Sequence, residues 1–104
     1  MRVGINNMNI FEIAKQDDYV RLAVNINQKI YRSKEINKKQ RRNMSALLTL
    51  NAKKYFIGEV SPITFLTVLS SIEQLRCELL NKSYDNETML NLRLLIKKER
   101  EFSR

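Results

Sequence analysis

The chain has no histidine and no tryptophan, a single cysteine, a single proline and only two glycines. Without histidine it lacks the side chain that most often serves as a general base or zinc ligand at neutral pH, and one cysteine can form no intrachain disulfide. Neither a metal nor a cofactor is expected. Scarce glycine and proline leave little material for the many tight turns of an all-β fold. No segment approaches the ~18 consecutive apolar residues of a membrane span. The opening M-R-V-G-I-N-N-M-N-I-F-E also lacks the continuous apolar stretch of a secretory leader, so a reduced cytoplasm is the expected location.

What is present is a chain of 104 residues, 43% of them apolar, in which Leu, Ile, Asn, Lys and Arg predominate. That suits one all-α domain over 1–104, a small bundle of about four helices around a helical hairpin, with 1–8 and 99–104 loose. The organising stretch is 60–82. Phe65, Val68, Ile72, Leu75 and Leu79 recur at steps of three and four and fall on one side of a helix, which Leu66, Leu69 and Leu80 widen. Ser61 can cap this helix and Pro62 suits its first position. The same heptad-like seam is also the expected interface with a partner helix in a homo- or hetero-oligomer.

Around it the remaining segments can be read in turn. Asn9 caps a turn carrying Ile10, Phe11, Ile13 and Ala14, and Tyr19, Leu22, Ala23, Ile26 and Ile30 continue an apolar stripe. This predicts one helix from about 10 to 32, kinked or recapped at Asp17 and Asp18. A second helix, beginning between Ile36 and Asn43, carries Met44, Leu47, Leu48, Ala52, Tyr55 and Phe56 and stops near Gly58. Turn-forming residues at 81–87 separate the central helix from a last one bearing Met89, Leu92, Leu95 and Ile96.

The net charge is +8, and it is uneven: residues 1–60 hold twelve basic and five acidic side chains, residues 61–104 seven and six. Lys29, Arg32, Lys34, Lys38, Lys39, Arg41 and Arg42 crowd one stretch against the single acid Glu35. This is the candidate nucleic-acid contact, with phosphate the favoured target because no phosphate-cradling glycine loop and no regular set of aromatics accompanies it. A solvated inter-helix connection accounts for the same charges. Glu73, Glu78, Glu87, Glu99 and Glu101 read as surface carboxylates. Cys77, at heptad position f when Phe65 is a, reads as a semi-exposed thiol with no base beside it, so no catalytic residue is expected.

Two family resemblances attach to particular residues. Tyr19-x-x-Leu22-Ala23, Ile36-Asn37 and Ala46-Leu47-Leu48-Thr49-Leu50 follow the order of landmarks in the FlhD family, small helical subunits of flagellar-type transcriptional activators, over roughly 12–60. That resemblance implies a DNA-binding hetero-oligomer with a second activator subunit. Tyr55-x-x-Gly58-x-x-Ser61, Phe65-Leu66-x-x-Leu69 and Tyr84 resemble the periplasmic helical hairpin of TolC-type outer-membrane efflux proteins, which implies helical-hairpin patterning and no channel function in a chain without barrel strands. The resulting expectation is a non-enzymatic, transcription-type regulator that binds nucleic acid as part of an oligomer. The alternative is a helical adaptor or inhibitor that binds an acidic protein surface.

Overall fold

The computed structural model describes residues 9–84 and 86–102, and the described residues contain helices and no strand. There are five helices: α1 (Ile10–Ala14), α2 (Asp18–Arg32), α3 (Lys38–Phe56), α4 (Pro62–Leu79) and α5 (Glu87–Phe102). The expected count of four is exceeded because the helix anticipated over 10–32 is divided. Asp17 leaves helical geometry and caps α2, its Oδ1 accepting the Tyr19 and Val20 amides at 2.9 and 3.1 Å. Its other oxygen accepts the Tyr55 hydroxyl at 3.0 Å. One carboxylate thus ends one helix direction, starts the next and fastens both to α3.

The other boundaries follow local chemistry. Ser61 caps α4, with Pro62 in its first turn, and Asn37 caps α3 by accepting the Gln40 amide at 2.8 Å. Both α3 and α4 end by the six-to-one hydrogen bond that satisfies late helical carbonyls. At the end of α3, Gly58 turns to φ +85° while the Glu59 amide reaches the Lys54 carbonyl at 2.8 Å. Asn81 does the same at φ 54° after α4, with the Lys82 amide on the Cys77 carbonyl at 2.9 Å.

The molecule measures 44 × 34 × 19 Å, so it is about two helices thick. Helix α4 packs on α5, α3 and α2, and α1 closes over α2 and α3. Val20, Ile26 and Ile30 of α2, Leu48 of α3, Phe65, Leu66 and Leu69 of α4 and Leu92 of α5 are fully enclosed at the centre. Tyr55 stacks on Phe65 at 4.6 Å between ring centroids, with Tyr19 at 6.0 Å from Tyr55. The Tyr19 hydroxyl donates to Glu99, which is one reason α5 persists as helix through Phe102 where loosening from 99 was expected. Burial, reinforced by Glu99, pushes the Tyr19 phenol up to about 12, and burial together with Asp17 raises Tyr55 as well. The remaining loose-end expectations, 1–8 and 103–104, lie outside the described residues.

The face that α4 buries is turned away from the seam expected of it. Phe65 and Ile72 are enclosed, but Leu75 and Leu79 are 42% and 36% exposed and Val68 is half-buried. In their place α4 encloses Leu66, Leu69, Glu73, Arg76 and Cys77. Counting the helix at about 100° per residue puts Leu75 on one flank of Phe65 and Leu69, Glu73 and Cys77 on the other. The second flank wins because α5 and the α2–α3 turn cover it. Glu73 is therefore not a surface carboxylate, nor is Cys77 a semi-exposed thiol: they are 0% and 1% exposed.

An ionised carboxylate can be buried only if it is paired and hydrogen-bonded. Arg76 supplies a two-pronged partner, Nε to Glu73 Oε1 at 2.7 Å and Nη2 to Oε2 at 2.9 Å. The remaining Arg76 nitrogen donates to Ser33 Oγ at 3.2 Å, and Asn86 Nδ2 donates to Glu73 Oε2 at 3.3 Å. Asn86 in turn accepts the Met89 amide at 2.9 Å in the first turn of α5. No buried side-chain nitrogen or oxygen among the described residues lacks a partner.

Truncating one member of this pair strands the other in the core. Arg76→Leu is expected to lose about 3–5 kcal/mol in a urea melt. The double variant Glu73→Leu/Arg76→Leu should recover most of the loss, since matched apolar replacement of a buried ion pair is often neutral.

Candidate nucleic-acid interface

The basic stretch 29–42 spans the end of α2, the turn and the start of α3. Ser33 closes α2, donating its hydroxyl to the Lys29 carbonyl at 2.7 Å, and Ile36 plugs the turn at 2% exposure. Arg41 folds back over the turn, with Nε on the Ile36 carbonyl at 3.0 Å and Nη1 on the Tyr31 carbonyl at 3.3 Å. Its guanidinium is therefore a clamp on the backbone as well as a charge.

Helix α3 starts with an electrostatic arrangement that folding alone does not favour. The N-terminal end of a helix carries the positive end of its dipole and is stabilised by acidic side chains. The first turn of α3 has none. Lys38 and Lys39 occupy it, followed by Arg41 and Arg42, and the like-charged Lys38 and Arg42 are four residues apart on one flank. Among the described residues, Arg32, Lys34, Lys38, Lys39 and Arg42 have no carboxylate within ion-pair distance. Each such placement costs a few tenths of a kcal/mol, and a polyanion would relieve all of them together.

The fold uses the seven basic residues in different ways. Lys34, Lys38, Lys39 and Arg42 are exposed around the turn and the start of α3. Lys29 donates to Thr88 Oγ1 at 2.5 Å and, with Arg32, borders a separate cleft of about 250 Å³ shared with Glu35, Arg76 and Lys82. That cleft is near the C-terminal ends of α2 and α4, where helical carbonyls already attract cations.

On another side, α1, α2 and α3 enclose an open groove of about 380 Å³. Phe11 of α1 and Tyr31 of α2 line it, 52% and 49% exposed, along with Thr49 and Lys53 of α3. A hydrogen bond of 2.6 Å from Ser45 Oγ to Asn27 Oδ1 lies among its lining residues. The adjoining hollow shares Tyr31, Ser45, Thr49 and Lys53 and extends to Arg42 and Leu50, so the groove opens toward the basic start of α3. Among the described residues, no acidic side chain lines either part. Phe11 and Lys53 were not anticipated as site residues. Phe11 sits in the apolar cluster Ile10-Phe11-x-Ile13-Ala14, and nothing local distinguishes it from the core residues beside it.

Burial first, then the Glu73 carboxylate, pushes the Cys77 thiol up and keeps it in its unreactive form. No group of three or more acids and cysteine capable of holding a metal occurs among the described residues, and no described helix is long and apolar enough to cross a membrane. No family model, curated protein or solved structure matches this chain.

Proposed function

We propose that this chain is a non-enzymatic, nucleic-acid-binding regulator whose phosphate contacts come from the turn before α3 and the first turns of that helix. The observation that carries the reading is the uncompensated charge there. Lys34, Lys38, Lys39 and Arg42 crowd the positive end of a helix dipole with no carboxylate partner among the described residues. Such a cluster lowers folding stability slightly and is repaid when a polyanion displaces its counterions. The likeness of 12–60 to the FlhD family favours DNA and a hetero-oligomer. Contacts of this kind hold the backbone and carry no base specificity.

A second reading is an adaptor for an acidic protein surface. It is favoured by Leu47 and Leu50, which are 50% and 47% exposed on the same helix as the cations and would suit an acidic amphipathic partner. Association of the chain with itself or a second subunit rests in either case on Leu75, Leu79 and part of Val68, because Phe65 and Ile72 are inside the core.

Replacing Lys34, Lys38, Lys39 and Arg42 by Gln separates the readings while leaving the Arg41 clamp in place. On nucleic acid, up to four lost phosphate contacts should flatten the slope of log affinity against log salt by up to about 3.6 on duplex and about 2.8 on single strands. Thermal stability should be unchanged or slightly higher. An unaltered slope with intact folding would rule out the proposed contact. For the oligomer, Leu75→Glu/Leu79→Glu should reduce the sedimenting mass without unfolding the chain. Equal mass for parent and variant would remove that seam as an interface.

A further inference from the structure

We infer that the groove between α1, α2 and α3 is a binding site for single-stranded nucleic acid, with bases stacking on Phe11 and Tyr31 and phosphates held by Arg42 and Lys53. The inference rests on the nucleic-acid reading and names the form of substrate. Phe11 and Tyr31 are distant in sequence, yet the packing of α1 against α2 brings both rings to one groove. Each ring is about half exposed and neither has an aromatic partner among the described residues, whereas Tyr19, Tyr55 and Phe65 are paired with one another.

Unpaired aromatic faces beside cations are what an unstacked base and its phosphate require. A base paired within a duplex presents only its edges in the grooves, so its face could not reach either ring. A single strand can turn its bases inward. Arg42 and Lys53 lie eleven positions apart on α3, about 16 Å along the helix axis, with Arg42 in the adjoining hollow beside Tyr31 and Lys53 in both parts. Thr49, partly exposed in the lining, adds a hydroxyl that base edges can use, while the buried Ser45 and Asn27 are bonded to each other. An acidic helix would find the same two cations. It would use the apolar Leu47 and Leu50 more than two separate ring faces, and so belongs to the other reading.

Fluorescence anisotropy of labelled oligothymidine, oligouridine and a duplex, titrated with the whole chain, tests the assignment. The wild-type protein should hold one or both single strands more tightly than the duplex, and comparing thymidine with uridine strands tells DNA from RNA. Phe11→Ala and Tyr31→Ala should each weaken single-strand binding roughly five- to 150-fold while leaving duplex binding within about twofold. Phe11→Leu keeps apolar bulk without the ring face and should behave like Phe11→Ala, which guards against a folding artefact. Tyr31→Phe should retain affinity. Because the chain has four tyrosines and no tryptophan, a bound strand should also quench tyrosine emission, and Tyr31→Phe should abolish most of that quenching.

Single-strand affinity that is indifferent to Phe11 and Tyr31, or a loss equal on single strands and duplex, overturns the stacking site and leaves phosphate binding intact. A wild-type chain that binds neither form overturns both.

Discussion

The fork between Glu73 and Arg76 is the interaction on which the arrangement of the other parts depends. A carboxylate and a guanidinium that lie three residues apart on α4 are held inside the molecule, where either alone would be costly. Satisfying their remaining hydrogen-bonding capacity draws in Ser33 from the end of α2 and Asn86 from the connection to α5. Those two residues also terminate or start helices. The pair therefore sets where α2 ends and where α5 begins relative to α4, and an apolar pair of similar volume would fill the space without specifying those positions.

The candidate binding surface inherits its shape from this anchoring. With Ser33 held by Arg76 and the turn plugged by Ile36, Arg41 can clamp the Tyr31 and Ile36 carbonyls and fix the direction in which α3 leaves. The first turn of α3 then carries its lysines at the positive end of the helix dipole. Along the same helix, Thr49 and Lys53 meet Tyr31 and Phe11 across the groove. Asp17 makes the corresponding connection at the other end of α2, where capping and the Tyr55 hydroxyl share its two oxygens. Polar contacts at both ends of α2 thus keep α1 and α3 on one side of the molecule.

Much of the helical framework was legible because it is written in local chemistry. Ser61, Pro62 and Gly58 do what their side chains and backbone preferences dictate, and the apolar spacing in α2, α3 and α5 identifies those helices. The division at Asp17 was visible as a choice between kink and recap, and the structure shows the recap, with the distant Tyr55 hydroxyl on the second oxygen. Two features depend on tertiary contacts that no spacing encodes. The first is the rotation of α4: from sequence alone Glu73 looks like a surface carboxylate, and the leucines at 75 and 79 look like core. The second is the placing of Phe11 and Tyr31, distant in sequence, on one groove. Within the basic stretch the fold makes Arg41 a backbone clamp, sets Lys29 and Arg32 at a cleft, and leaves Lys34, Lys38, Lys39 and Arg42 exposed, a division of labour that spacing does not encode.

The proposed site puts binding on the α1–α2–α3 side of the molecule and not on the α4–α5 side. Amide chemical-shift mapping of the isotopically labelled chain during titration with oligothymidine addresses this directly. Perturbations should concentrate around Phe11, Tyr31, Lys38 to Arg42, Thr49 and Lys53, with the exposed leucines at 75, 79, 90 and 94 unaffected. Perturbations concentrated on those leucines, or none at saturating strand, would contradict it.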